Sequence, residues 1–228
     1  MTYLENNGAG ANNRADERRR MVEDQLISNG ITNKAVIQSM LTVPRHCFVS
    51  TRLQAYAYYD CPLLIGEGQT ISQPYIVALM ADALETTSAD RVLEIGTGSG
   101  YAAAVLSRLA SMVYTVERHE SLASEARSRF QALKYANIRV HTGDGTKGWP
   151  EEAPFDGIVV AAGAPEVPKS LGDQLKPGGR LVIPVGERGS QELLRVRKKA
   201  DNSFTREYLG AVRFVPLIGE EGWNGRLK

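Results

Sequence analysis

Residues 91–100 read Arg91-Val92-Leu93-Glu94-Ile95-Gly96-Thr97-Gly98-Ser99-Gly100, five residues of strand character running into three glycines at alternate positions. Beyond them, 101–109 reads as a helix. Strand, glycine turn and helix in that order open a doubly wound α/β sheet, whose ligand site lies beyond the carboxyl ends of its strands. Toward the C-terminus, residues 113–116, 138–141, 155–160 and 180–185 supply further strands, with helical patterns at 122–135 and 167–175 between some of them. That alternation predicts a mostly parallel sheet covered by helices. After Gly189 the pattern changes. Residues 193–197 and 208–217, separated by the polar Ala200-Asp201-Asn202-Ser203 turn, predict an antiparallel C-terminal strand pair finishing the sheet.

Toward the N-terminus, residues 66–73 form a polar loop after the short apolar run 62–66, and Pro74 starts a helix reaching Leu84. Earlier still, Met21, Val22, Leu26 and Ile27 recur at helical spacing, Gly30 caps the end, and 35–41 predicts a second short helix. These are extra N-terminal helices ahead of the main fold. Residues 1–15 are polar and rich in Asn and Gly, with too little apolar surface to offset the entropy of ordering them, and are expected to be a flexible tail. A single domain over 16–228 follows.

The 228 residues are 43% hydrophobic, enough to bury one core. With 27 basic and 26 acidic side chains the net charge is +1, so no overall field draws the chain to nucleic acid or anionic lipid. Two cysteines, Cys47 and Cys61, offer neither a disulfide framework nor metal-ligand spacing. The first twenty residues hold no continuous apolar stretch, so neither a signal peptide nor a membrane span is expected, and a monomer in a reducing cytoplasm is the simplest setting.

The turn at Gly96, Gly98 and Gly100 is spaced G-x-G-x-G, whereas the dinucleotide fingerprint is G-x-G-x-x-G, which counts against NAD. Glu94 lies in an apolar strand, where an unpaired carboxylate is costly, so it either braces the turn or meets a ligand ammonium. Glu117 ends the next strand about twenty residues after the first glycine, where a carboxylate binds ribose hydroxyls or simply meets solvent. Gly143-Asp144-Gly145 follows the third strand, so Asp144 is placed to accept from an adenine amino group. With no Lys or Arg in the glycine turn for phosphate, these residues describe a nucleoside pocket with an amino-acid end.

The run from Val92 to Tyr101 resembles the first motif of class I methyltransferases, which implies a Rossmann-like fold and S-adenosyl-L-methionine as cofactor, with Glu94, Gly96, Thr97, Gly98, Gly100, Glu117, Asp144 and Gly145 binding it. Four further segments, Val43-Pro44-Arg45-His46, Gln69-Thr70-Ile71-Ser72-Gln73-Pro74-Tyr75, Gly143-Asp144-Gly145 and Val212-Arg213-Phe214-Val215-Pro216-Leu217, resemble the protein-L-isoaspartate O-methyltransferase family over about Glu17 to Leu217. The resemblance implies methyl transfer to the free carboxylate of L-isoaspartyl and some D-aspartyl residues in damaged proteins, followed by cyclisation of the ester to succinimide and partial return to normal aspartate. It implies Ser72 as the active-site residue, orienting the acceptor carboxylate, with Thr70, Ile71, Gln73 and Val215 binding the peptide. Local sequence alone leaves Ser72 equally suited to capping the helix after Pro74.

His119 and His141 read as ordinary surface or packing residues, and Arg18-Arg19-Arg20 and 195–199 as solvated basic faces. Tyr101 and Trp149 either line the nucleoside pocket or pack. Competing readings are a class I methyltransferase for RNA or a small molecule, and a noncatalytic binder of the cofactor; the Ser72 loop argues against the first, and methyl transfer to peptide separates the second.

Overall fold

The computed structural model describes residues 14–224. The tail expected over 1–15 therefore falls largely outside the described residues, but Ala15 already opens helix α1 (Ala15–Met21). The chain then widens into a π-helical turn (Val22–Leu26) and tightens into a 3-10 turn that Gly30 ends at φ 94°, as the glycine predicted. Helix α2 (Lys34–Thr42) is capped by the Asn33 side chain, which accepts from Ala35 N and Val36 N. Ser39 Oγ of α2 donates to the Val105 carbonyl at 2.8 Å, and this buried bond fixes the N-terminal helices on the main fold.

Two short strands, β1 (Leu63–Gly66) and β2 (Gln69–Ile71), follow as a separate antiparallel hairpin. This corrects the expectation of an irregular loop over 66–73. Glu67 and Gly68 both take positive φ, the geometry a two-residue hairpin turn requires. Helix α3 (Pro74–Ala83) leads to β3 (Arg91–Ile95), then α4 (Tyr101–Leu106), β4 (Met112–Glu117), α5 (Glu120–Ala132), β5 (Ile138–Thr142), β6 (Phe155–Val160), α6 (Lys169–Asp173), β7 (Leu175–Glu187), β8 (Ser190–Lys198) and β9 (Phe204–Val212).

The seven strands run in the order β5-β4-β3-β6-β7-β8-β9, parallel from β5 to β7 and antiparallel thereafter. Chain order reverses direction at β3, whose carboxyl end is the switch point and holds the glycine turn. Alternation along each strand feeds two cores: Val92 and Val113 pack with the N-terminal helices, while Leu93, Ile95, Tyr114 and Val116 face the other layer.

The last expected strand, 208–217, is displaced. Pairing starts at Phe204 and stops at Val212. Phe214 N then bonds the Gln191 side chain, and Pro216, lacking an N–H, makes only an isolated bridge to Gly163 as the chain leaves the sheet for the site. Arg195 and Arg197, expected to be solvated, are bound to Glu85, and Arg195 also to Glu207.

Candidate active site

A cavity of about 400 Å³ opens at the carboxyl ends of β3 and β4, walled by the glycine turn on one side and the β1–β2 hairpin on the other. Glu94 lies within its wall, 1% exposed. Because β3 and β4 are parallel and in register, Glu94 sits beside Thr115, whose hydroxyl donates to Glu94 Oε2, and Thr115 in turn bonds Thr97 Oγ1 at 2.6 Å. Glu94 Oε1 has no partner among the described residues. Burial pushes its pKa up to about 8, against the Thr115 hydrogen bond, with nearby Glu117 adding to the rise. Glu94 thus gives the cavity wall a buried carboxyl oxygen that no described residue satisfies.

Glu117 takes part in shaping the turn: Oε2 accepts from Gly98 N at 2.9 Å and Oε1 from His119 N at 3.0 Å. Each oxygen keeps a second acceptor site for hydroxyls in the cavity. Gly98 has φ 51° and Gly100 φ 89°, and a Cβ on Gly100 would lie 2.6 Å from the Phe130 ring, so these glycines serve backbone conformation and the approach of α5 as well as ligand access. Gly96 and Thr97 line the cavity, while Gly100 stands behind it.

Of the Asp144-Gly145 pair, Gly145 lines the cavity. The Asp144 carboxylate faces other partners: Oδ1 accepts from Thr146 N and Oγ1, and Oδ2 from Glu220 N at 2.8 Å. Burial works to raise its pKa, but the bonds from Glu220 and Thr146 outweigh it and hold Asp144 below the usual carboxylate range. Its structural work is to cap the turn at Gly145–Lys147 and anchor the returning C-terminal segment.

On the acceptor side, Thr70, Ile71 and Ser72 enter the cavity wall, and Thr70, Ser72, Ala161 and Val215 also line an adjoining groove of about 600 Å³. Ser72 therefore stands where the two spaces meet. It does not cap α3. Gln73 occupies the N-cap position without a side-chain cap bond, and Asp60 serves instead, accepting from Tyr75 N at 3.1 Å and from Gln73 Nε2 at 3.2 Å. Among the described residues, no side-chain hydrogen bond engages the Ser72 hydroxyl; its carbonyl accepts from Arg45. Val215 is held by Gly163 N, which donates to its carbonyl at 2.8 Å.

The family described as protein-L-isoaspartate(D-aspartate) O-methyltransferase matches residues 17–222. The chain is 70% identical over 212 residues to the protein-L-isoaspartate O-methyltransferase of Pelotomaculum thermopropionicum, covering 93% of each. The chain belongs to the protein-L-isoaspartate O-methyltransferase family. Solved structures agree with this methyltransferase in shape. One protein-L-isoaspartate O-methyltransferase superposes with a TM-score of 0.81 at 31% identity, over 90% of this chain and 67% of the other. A Plasmodium falciparum protein-L-isoaspartate O-methyltransferase in complex with S-adenosyl-L-homocysteine gives 0.75 at 27% identity, over 88% and 98%.

Sequence reasoning missed several lining residues of the methyltransferase's site. Glu67, Gly68 and Gln69 come from the unrecognised hairpin, and His119, read as an ordinary surface residue, lines the cavity with its Nδ1 3.7 Å from Glu67 Oε2. Ala161 and Ala162 follow β6 and were findable, since the switch-point rule directs attention to the end of every strand beside β3. Of the two undecided aromatics, Tyr101 lines the cavity, whereas Trp149 packs on His141 and Tyr114.

Proposed function

We propose that this chain transfers the methyl group of S-adenosyl-L-methionine to the free carboxylate of L-isoaspartyl, and of some D-aspartyl, residues in damaged proteins and peptides, with Ser72 orienting the acceptor. The observation that carries the assignment is the position of Ser72 where the cavity meets the adjoining groove, its hydroxyl unengaged by any side chain among the described residues.

The donor half fits the cofactor. Glu94 Oε1 is the counter-ion for an amino-acid ammonium, the remaining acceptor sites of Glu117 suit ribose hydroxyls, and Gly96, Thr97, Gly98 and Gly145 leave backbone in contact with the ligand. Gly100 supports the turn through its packing against Phe130, and Asp144 supports the wall from behind. When bound, the cofactor supplies an electrophilic sulfonium methyl group.

The acceptor needs no base, because a carboxylate with a reference pKa of about 3.9 is ionised at neutral pH. Ser72 Oγ donates to one carboxylate oxygen and aims the other into the cavity. Thr70, Ile71, Gln73 and Val215 hold the peptide in the groove. Attack of the carboxylate oxygen would form the O–CH3 bond as the methyl–sulfur bond breaks and S-adenosyl-L-homocysteine leaves; charge is neutralised on the way, so alignment in the pocket is the main contribution of these residues. The released ester closes to succinimide as the following backbone nitrogen attacks its carbonyl and expels methanol.

Action as a cytoplasmic monomer without nucleic acid belongs to the same proposal, supported by the near-zero net charge and the free thiols of Cys47 and Cys61. No helix among the described residues is long and apolar enough to cross a membrane.

The test pairs two synthetic peptides that differ only in L-isoaspartate or L-aspartate at one position, with labelled methyl on the cofactor. Selective labelling of the isoaspartyl peptide is expected, with Ser72→Ala lowering turnover by about 10–100-fold, the range a misoriented reactant costs, while cofactor affinity holds. Equal labelling of both peptides would overturn the acceptor assignment, and full turnover by Ser72→Ala would remove Ser72 from the mechanism.

A further inference from the structure

Among the described residues Arg45 is the largest fully buried side chain, 0% exposed, and it forms no ion pair. Burial without a carboxylate partner lowers its pKa, and an apolar residue would fill the same space at less cost. Its hydrogen bonds show what the cost supports. Nε donates to the Ala57 carbonyl at 2.7 Å and Nη2 to the Ser72 carbonyl at 2.8 Å. The guanidinium carbon stands 4.8 Å from the centroid of the Tyr101 ring, and Nη1 has no hydrogen-bond partner among the described residues.

Those contacts join the two halves of the site. Tyr101 follows Gly100 directly and lines the cofactor cavity; Ser72 stands at the mouth of the acceptor groove. Asp60 holds the next residues, Gln73 and Tyr75, from the outside. Ser72 is thus gripped by its carbonyl and its neighbours, and its hydroxyl is left for substrate. Arg45 itself lines neither space.

We propose that Arg45 is a positioning residue for methyl transfer, whose planar fork fixes the Ser72 carbonyl against Tyr101 and so sets the direction of the Ser72 hydroxyl relative to the cofactor turn. This rests on the role given to Ser72 above. Lysine does not reproduce the fork: its donors share one atom on a flexible stem, whereas Nε and Nη2 reach the Ala57 and Ser72 carbonyls from separate atoms of one rigid plane.

The experiment is a double-mutant cycle with Arg45→Lys, Arg45→Met and Ser72→Ala, measuring kcat and KM for an isoaspartyl peptide, the Kd of S-adenosyl-L-methionine and the melting temperature. Each Arg45 variant is expected to lower kcat by about 10–100-fold, the size of loss that small misplacements of reacting groups produce, with cofactor Kd unchanged within about twofold. On the Ser72→Ala background the same Arg45 substitutions should lower kcat by less than about twofold, because the group they position is gone. Arg45→Lys keeps the charge and the stem, so it carries the cycle if Arg45→Met does not fold. Losses that multiply in the double variant, or a folded Arg45→Lys enzyme with wild-type kcat, would overturn the proposal. Unchanged turnover in Ser72→Ala alone would instead sink the Ser72 assignment, so the two failures are distinct.

Discussion

Glu94 sits on a central strand where a charge has almost no water, and its neighbours supply one hydroxyl. In the cofactor-free protein its pKa of about 8 lies above the 4.5 of an ordinary glutamate, so between those values the folded chain holds a proton that the unfolded chain has released. The sign follows: stability from this group is complete below pH 4.5 and is lost as pH rises through 8. The melting temperature of the cofactor-free enzyme should therefore fall between pH 5 and pH 8, and Glu94→Gln, which cannot ionise, should flatten that fall while weakening cofactor binding. A glutamine variant with an undiminished pH slope would assign the effect elsewhere. Arg45 and Glu94 illustrate one rule: a buried ionisable group is informative when its protein partners are too few.

The β1–β2 hairpin closes one wall of the cavity; Leu63 and Ile71 root its strands in the core, and its turn is held by surface contacts. Glu67 accepts from Ser121 Oγ at 2.7 Å at the start of α5, with His119 beside it. The Glu67 side chain is 45% exposed, which limits the contact to about 1 kcal/mol. Glu67→Ala is accordingly expected to speed cofactor dissociation by about fivefold or less with little change in melting temperature, read by displacement with excess S-adenosyl-L-homocysteine; an unchanged dissociation rate would show that the hairpin does not gate exit. The elements that were legible and those that were not differ in a physical way. Strands β3, β4 and β6 are largely apolar runs and β5 alternates Ile138 and Val140 with polar residues, while the turn after β3 announced itself by glycines that positive φ requires. The hairpin was hidden because Gln69-Thr70 is polar and its turn begins with Glu67, an unusual residue for that conformation. The alternation Arg213-Phe214-Val215 imitates a strand, but Pro216 has no N–H to continue the ladder. Asp144 stood where an adenine contact was expected, yet its oxygens are bound by Thr146 and by Glu220, a partner 76 residues away that no local pattern reveals. Arg45 was noticed as part of a motif, while its link to Ser72 came only from the fold.

Across the whole molecule, the residues assigned to the cofactor lie between β3 and the turn after β5, whereas those assigned to the acceptor lie before β3 and after β9, and further wall residues come from both ends. The C-terminal segment completes both, contributing Val215 to the groove and Ile218 to the cavity. Its ties include Glu220 N to Asp144, Glu221 carboxylate to Ser170, and Trp223 Nε1 to the Gly163 carbonyl at 3.0 Å, with the Arg188 guanidinium 5.1 Å over the indole. The chain has only two tryptophans, and the other, Trp149, lies against His141 in a separate part of the domain. Replacing Trp149 by phenylalanine thus leaves a single tryptophan, on the segment that completes the site, which selective excitation reads apart from the nine tyrosines. In that background Glu221→Ala should shift the emission of Trp223 to the red as the indole gains solvent, and saturating cofactor should move it part of the way back; identical spectra in all three states would mean that the segment stays docked without its Glu221 anchor. The indole that fastens the site is also a lamp that reports when it is shut.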